Sequence, residues 1–347
     1  MPNLGVGLKA ICLFSGGLDG ELAARLIHQQ GIGVTIVHFD HIFIPYKTAG
    51  NIISRGRCLA EQLFPESGWE YFDISSEILK AVKHPDFGYG KRMNPCIDCR
   101  ILMLESAKRY MDETGASFIV TGEVLGQRPM SQNRGALELV DKMCGDGGFI
   151  VRPLSAKLLP VTIPEQKGWV NRDRLFGIKG RSRKEQITLA KRFKIEDYPN
   201  ASGGCLLTDA GFSRRLQESF QFGEDNLTDL RLLRVGRHFR LLDSIKLIIG
   251  RDERENEEIF RLAEAEDTLI EPVNVPGPTG LLRKYTDNRE DALWQRVVGL
   301  CARYSDRSEY ILLRYGNKKD DNVNWSGELK VTIPETFTGD DNYCRRI

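Results

Sequence analysis

The sequence predicts an α/β protein: a doubly wound parallel sheet followed by a smaller C-terminal α+β domain. Three observations lead there. Short apolar runs alternate with amphipathic helical segments over the first half, a Gly-Gly turn joins the first run to the first helix, and beyond about residue 225 short, charged strand-like runs take over. Lys9–Phe14 (KAICLF) reads as the first strand. Glu21–Gln30 reads as a helix, with Leu22, Leu26 and Ile27 on one face and Gly31 as its C-cap. Val34–Phe39 is a second buried strand, Asn51–Leu63 a helix and Glu70–Asp73 a third strand. Arg100–Glu113 is amphipathic through Leu104, Ala107 and Met111, and the strand Ser117–Thr121 follows it. A sheet of this kind binds its ligand at the carboxyl ends of the strands.

After Val151 the pattern loosens into RPLSAKLLPVTIPEQ, and then a basic segment, GIKGRSRKEQ, leads into a helix. From about Asn226 the run DLRLLRVGRHFRLLDSIKLIIGR reads as strands, followed by an acidic helix, Asn256–Glu266, and a turn-rich PVNVPGPTG. Tyr310–Arg314 and Glu328–Ile333 read as further strands. The expected domains are 1–212 and 225–347, with the boundary near 210–225 and no internal repeats.

A chain of 347 residues has room for about two domains, and 41% hydrophobic with 28% charged residues describes an ordinary globular protein. A formal charge of +1 neither announces nor excludes nucleic acid, so a local patch would have to carry it. No apolar run approaches the ~20 residues that span a bilayer. The start, MPNLGVGLKAICLFSGG, lacks the order of a signal peptide, and the expected location is the cytoplasm. In a reducing compartment, eight cysteines are better read as metal ligands or redox groups than as disulfides.

Residues 15–20 read Ser-Gly-Gly-Leu-Asp-Gly between a strand and a helix. Gly16, Gly17 and Gly20 let backbone approach a phosphate, and the helix N-terminus offers free N–H groups. Ser15 adds a hydroxyl, and Asp19 can bind magnesium or brace the loop; an ordinary strand-to-helix turn is the plainer alternative. His38 and Phe39, with Asp40, close the second strand, where adenine and ribose commonly dock, although His38 also suits a strand-end core. The hexapeptide resembles SGGxDS, the signature of the PP-loop ATP pyrophosphatases of the adenine nucleotide alpha-hydrolase-like fold. Those enzymes adenylate a carbonyl oxygen and release pyrophosphate. The final Ser of the signature is Gly20 here, which removes a hydroxyl and keeps the N–H.

Cys96 and Cys99 form NPCIDCR directly ahead of a helix, where the dipole and Arg100 would favour thiolates. Cys205 stands in a second glycine turn, SGGCLLTD. Four readings compete: structural zinc with Cys144 as a fourth ligand, a redox pair or persulfide carrier, unligated cysteines, or a [4Fe–4S] cluster on Cys96, Cys99 and Cys205 with one iron open. Cys12, Cys58 and Cys301 read as core.

The run NPCIDC, a helix, then TGEVLGQ (Thr121–Gln127) and Ser131-Gln132 resembles the 4-thiouridine synthase family. The order is kept through Arg152–Leu154 to the third cysteine, so the resemblance covers roughly residues 8–210. Those synthases place ferredoxin-like and THUMP domains before the ATP domain, and this sequence contains neither. Residues about 225–290 are instead similar to the NFACT-R module, an RNA-binding domain.

The resemblance implies an ATP-dependent tRNA uridine sulfurtransferase that uses ATP, Mg²⁺ and an iron–sulfur cluster to form 4-thiouridine. Cys96, Cys99, Cys205 and Asp19 would be catalytic, and Gly122, Glu123 and Gln127 would shape the nucleotide pocket. Lys179 and Arg181, with Arg183, could clamp phosphate, unless they form a merely solvated face. Arg234, Arg237, His238 and Arg240, interleaved with Phe239, suit a phosphate-tracking surface, which a strand of alternating exposed charge would explain almost as well. The implied partners are tRNA and a sulfur donor, either sulfide or a persulfide carrier; a homodimer is compatible, and no membrane is involved. Two other classes compete: a PP-loop enzyme acting on a non-tRNA acceptor, and a non-catalytic nucleotide- and RNA-binding protein.

Overall fold

The computed structural model describes residues 7–63, 68–145, 148–199, 204–284, 291–332 and 345–347. The chain divides into two compact units, Met1–Thr208 and Asp209–Ile347. No helix among the described residues is long and apolar enough to cross a membrane.

The first unit runs β1 (Lys9–Leu13), α1 (Leu18–His28), β2 (Gly33–Asp40), α2 (Tyr46–Leu63), β3 (Trp69–Asp73), α3 (Ser75–Lys83), α4 (Cys96–Thr114), β4 (Phe118–Thr121), α5 (Arg134–Met143), β5 (Ile150–Val151), α6 (Ile163–Gln166) and α7 (Lys184–Arg192). Its strands pair in parallel in the order β3-β2-β1-β4-β5. This is the doubly wound α/β architecture expected from the alternation. Central parallel strands are covered on both faces, so β1 is apolar and buried from Ala10 to Leu13. On one face Ala10, Cys12, Val34, Ile36, Phe118 and Val120 pack against Ala23, Ala24 and Ile27 of α1 and Leu59, Ala60 and Leu63 of α2. The strand order reverses between β1 and β4, which leaves a crevice at their carboxyl ends.

Two helices begin earlier than their apolar pattern indicates, and both shifts bear on the site. Gly17 is extended (φ −87°, ψ 159°) and serves as the N-cap of α1, which puts Asp19 and Gly20 in its first turn. Pro95 occupies the N-cap of α4, so Cys96 and Cys99 lie inside the helix rather than ahead of it; the helix ends at Gly115 with φ 67°. The pattern missed α5, which starts where Asn133 accepts a hydrogen bond from Ala136 N.

The second unit comprises α8 (Ala210–Gln221), α9 (Leu227–Leu232), β6 (Arg237–Leu242), β7 (Ile245–Ile249), α10 (Glu253–Leu262), β8 (Thr268–Pro272), β9 (Gly280–Lys284), α11 (Asp291–Arg303), β10 (Ile311–Lys319), β11 (Asn322–Val331) and β12 (Arg345–Arg346). The strands form an antiparallel sheet in the order β11-β10-β8-β9-β7-β6-β12. Residues 227–232, expected as strand, are helical because the Asn226 side chain caps Asp229 N. The acidic helix starts at Glu253, where Asp252 caps Glu255 N. Ile333, the expected end of the last strand, and Cys344 lie outside the described residues.

One face of this sheet presents Phe239, Leu247, Ile249 and Leu282 to Val297, Leu300 and Cys301 of α11. The other face corrects the expectation of a phosphate-tracking surface. Arg240 and Lys246 are in register across β6 and β7, and both are buried. Arg240 Nε pairs with Glu218 Oε1 at 2.6 Å and Lys246 Nζ with Glu224 Oε2 at 2.7 Å, so both charges are neutralised inside the fold. His238 is buried with Nε2 2.8 Å from Val235 O; burial, then Arg215 and Lys246, holds it well below the usual imidazole range and therefore neutral. Phe239 belongs to the core, and Arg237 lies over the Tyr304 ring at 4.5 Å while donating to Gly250 O at 3.0 Å. Arg234 is half-buried.

Candidate active site

The phosphate-loop sequence folds as a strand–turn–helix at the crevice. Phe14 N donates to Val37 O at 2.8 Å, which ties the end of β1 to β2. Gly16 has φ 80°, and a Cβ there would come within 2.7 Å of Ile52 Cγ1, so glycine is required for both its conformation and its closeness to α2. Ser15 is exposed at the mouth. Gly17 supplies no side-chain cap, and the first-turn N–H groups of α1 therefore remain directed at the crevice.

The loop after β4 closes the other side. A Cβ on Gly122 would lie 2.4 Å from Gly20 N and 2.5 Å from Asp19 C, so two backbones meet there with no room for a side chain. Gln127 Nε2 donates to Asp19 Oδ2 at 2.8 Å. Asp19 Oδ1, Gln127 Oε1 and Arg183 Nε are buried without a hydrogen-bond partner among the described residues. Three such atoms at one crevice mark a place prepared for a polar ligand. Burial pushes the Asp19 carboxyl up, against the Gln127 hydrogen bond and the charges of Arg183 and Arg128. An available carboxylate oxygen of this kind suits a hard cation such as Mg²⁺. The basic segment lies along the same rim: Gly180 N donates to Leu125 O at 2.7 Å, and Leu125 and Lys179 form a parallel bridge. Lys179 and Arg181 are exposed there.

Glu123 is a structural anchor rather than a pocket wall. It is buried, with Oε1 3.0 Å from Arg100 Nε, and Oε2 accepts from Arg152 Nε at 2.9 Å and Thr121 Oγ1 at 3.1 Å. Burial alone would raise its carboxyl, but Arg100 and Arg152 together hold it below the usual range. Arg152 in turn makes a two-pronged contact with Asp141 at 2.9 and 2.7 Å. Because Arg100 directly follows Cys99, this network ties the cysteine-bearing turn of α4 to the loop after β4.

The three cysteines converge without standing in a coordinating array. Next to Cys205, Leu206 N donates to Phe43 O at 2.9 Å, which holds the third cysteine's turn against the segment after β2. Cys99 and Cys205 would repel one another as thiolates, and Cys205 would likewise repel Cys96. Asn94 Nδ2 donates to Cys96 Sγ at 3.0 Å. No three His, Cys, Asp or Glu side chains among the described residues meet as a metal site. The expectation of easily formed thiolates is corrected for Cys99. Burial and the neighbouring thiols push Cys99 up to about 12, and burial pushes Cys205 up to about 11. Arg100 acts in the opposite direction on Cys99, but it is already paired with Glu123. Cys144 caps the end of α5 and is buried, as are Cys12 and Cys301, whereas Cys58, expected in the core, is exposed on α2.

His38 and Phe39 have structural partners. His38 Nδ1 lies 2.9 Å from Phe14 O and its ring stacks on Trp69, so it braces the entry to the phosphate loop. Burial lowers its pKa, against the Phe14 hydrogen bond and the charge of Asp40. Phe39 is 4% exposed and stacks on Phe72 of β3 at 5.5 Å. Arg128 was not singled out in the sequence, because one arginine beside a Pro in a loop carries no periodic or motif signal.

These features define a doubly wound α/β domain with a glycine-rich strand–turn–helix loop at its switch point, followed by an antiparallel α+β unit. Residues 5–157 match the family model described as "Thiamine biosynthesis protein (ThiI)", and residues 236–331 match "NFACT protein RNA binding domain". A "Probable tRNA sulfurtransferase" of Thermococcus kodakarensis is 30% identical over 128 residues, 36% of this chain and 32% of the relative. The "tRNA sulfurtransferase" of Desulfurococcus amylolyticus is 28% identical over 151 residues, 44% of this chain and 30% of the relative. This chain thus spans about a third of the length of these curated relatives. A solved 4-thiouridine synthetase–RNA complex with bound ATP aligns at 19% identity and TM-score 0.36, covering 66% of this chain and 53% of that one. The chain is similar to ThiI over most of its first unit and to the NFACT RNA-binding module over most of its second.

Proposed function

We propose that this chain is an ATP-dependent tRNA uridine sulfurtransferase that forms 4-thiouridine. The observation that carries the reading is the closure of the crevice by Gln127 on Asp19, beside the turn of α4 that holds two of the three cysteines. The names of the curated relatives support the substrate and the reaction.

In this reading the first-turn N–H groups of α1 and Ser15 bind the phosphates of ATP. Asp19, held by Gln127, directs Oδ1 at a Mg²⁺ that offsets phosphate charge. The uridine O4 attacks the α-phosphorus, and the bond to the β-phosphate oxygen breaks with release of pyrophosphate. A sulfur nucleophile then adds at C4, and AMP departs with the former O4. The exposed Lys179 and Arg181 hold phosphate of ATP or RNA at the rim. A [4Fe–4S] cluster on Cys96, Cys99 and Cys205 would supply an open iron able to carry hydrosulfide. The chemistry of the donor set supports this reading, since three thiols lie within electrostatic reach of one another and one accepts an N–H···S bond from Asn94, although their side chains would have to draw together to meet as a metal site. Binding would deprotonate them despite their burial. RNA contact falls to the second unit, through cations other than the buried Arg240 and Lys246.

Nucleoside mass spectrometry tests the reading. Iron-reconstituted protein is incubated anaerobically with ATP, Mg²⁺, sulfide and unmodified tRNA. ATP-dependent 4-thiouridine is the expected product, and 2-thiouridine would reassign the ring position. No thiolated nucleoside from protein that binds ATP and iron would favour a different acceptor or a non-catalytic binder.

A second test concerns Gly20. A Cβ there would meet Phe14 Cδ2 at 3.3 Å and Leu13 O at 3.5 Å, a fit that needs only a small ring movement. Gly20→Ser is expected to raise ATP affinity roughly 2- to 10-fold, the worth of one hydrogen bond, in a calorimetric titration. Unchanged or weaker binding would mean that position 20 does not face the phosphates.

A further inference from the structure

The turn ahead of α4 is built around one side-chain amide. Asn94 is 5% exposed. Its Oδ1 accepts from Arg92 N at 3.0 Å, and its main-chain O accepts from Gly90 N at 2.9 Å and from Cys96 N at 3.0 Å. A Cβ on Gly90 would lie 2.6 Å from Asn94 Nδ2, so the chain wraps over the amide with no room for a side chain. Two further bonds pin the same loop: the Tyr89 hydroxyl donates to Val82 O of α3 at 2.6 Å, and Asp86 N donates to Asp98 Oδ1 of α4 at 2.8 Å. A main-chain N–H occupies Oδ1, which fixes the orientation of the amide. Nδ2 is therefore the end that faces Cys96, and it donates to Sγ at 3.0 Å. The oxygen organises the turn, whereas the nitrogen serves only the sulfur. A neutral thiol is a weak acceptor, so a donor aimed at it contributes most when that sulfur carries negative charge.

We propose that Asn94 is a positioning residue for the cysteine trio: its N–H sets the direction of the Cys96 sulfur and raises the reduction potential of an iron–sulfur cluster held there. The proposal rests on the cluster reading above and deepens it. Cys96 is the fixed corner of the site, and Cys99 and Cys205 close on it. Reduction adds negative charge to a cluster and its thiolate sulfurs, and an N–H donor stabilises that state more than the oxidised one.

Potentiometric titration of the full chain after anaerobic iron–sulfur reconstitution tests this, using wild type, Asn94→Ala, Asn94→Asp and Tyr89→Phe. Asn94→Ala removes the donor without adding charge. Asn94→Asp keeps the shape and the acceptor for Arg92 N but places a carboxylate oxygen against the sulfur. Tyr89→Phe releases the same loop from Val82 O without touching the sulfur. Asn94→Ala is expected to lower the potential by roughly 3- to 10-fold in the reduction equilibrium, about 30–60 mV for one electron. Asn94→Asp should lower it further, and Tyr89→Phe should keep the wild-type value. Retention of iron against a chelator should fall roughly 10-fold or more in both Asn94 variants. An unchanged or higher potential in either Asn94 variant, or an equal shift in Tyr89→Phe, overturns the proposal. Wild-type protein that takes up no cluster overturns the cluster reading and the proposal with it.

Discussion

Gly122→Ala removes nucleotide binding while the protein remains folded. The methyl group would lie 2.4 Å from Gly20 N, 2.5 Å from Asp19 C and 2.7 Å from Asp19 O, all backbone atoms of the first turn of α1. No side-chain rotation relieves such an overlap, so the loop after β4 and the helix must move apart. The Gln127–Asp19 hydrogen bond at 2.8 Å spans that same gap and would break with it. Overpacking of this kind costs about 1–3 kcal/mol, which the unit can absorb, but the crevice cannot absorb the displacement. ATP affinity is expected to fall at least about 10-fold by calorimetry, since positioning contacts fail with shifts near 1 Å. Gly135→Ala in α5 is the control, because its Cβ would meet nothing nearer than 3.6 Å and alanine favours the helix. Full ATP affinity in Gly122→Ala would show that the closeness of the two loops is irrelevant to binding.

Glu123→Gln has its largest effect on stability. Glu123 is 2% exposed and faces Arg100, Arg152 and Thr121, so the amide would leave two guanidinium groups short of one negative charge. Breaking a buried pair by removing one partner costs about 3–5 kcal/mol, which lowers the melting temperature of a unit this size by roughly 6–20 °C. The effect should depend on pH in a defined direction. Arg100 and Arg152 keep the folded carboxyl below its ordinary value, so the charge stabilises the fold fully above the unfolded pKa of about 4.3. That contribution is lost as pH falls through the lower, folded value. The gap in melting temperature between wild type and variant should therefore be widest near neutrality and close below about pH 4. A gap independent of pH down to acid unfolding would mean that Glu123 acts through shape rather than charge.

The parts of the site legible in the sequence were those whose physics is local. The glycine pair at 16 and 17 after an apolar run marks the turn, with Gly16 at φ 80° needing glycine, and alternating strands and helices specify the parallel sheet. The illegible parts depended on partners distant in the chain. Arg240 and Lys246 look exposed because alternating charge is the usual mark of a solvated strand face. Their burial is set by Glu218 and Glu224, 16 to 22 residues earlier for Arg240. His38 and Phe39 close a strand where nucleotides often dock, yet their side chains are engaged by Phe14 O and Phe72. Glu123 reads as part of a motif, but its role appears only when Arg100 and Arg152 arrive from two other segments.

The placement of β1 beside β4 also governs how the protein is made. Ala10–Leu13 pair on one side with Val34–Val37 soon after synthesis, but on the other side with Phe118–Thr121, over 100 residues later. At translation speeds of about 5–20 residues per second, the apolar flank of β1 waits on the order of 5–20 s for its neighbour. During that interval the nascent chain exposes an unpaired strand edge at the position that will become the centre of the sheet. The arrangement that creates a ligand crevice thus makes the emerging polypeptide dependent on the ribosome surface or a chaperone to shield it until β4 arrives.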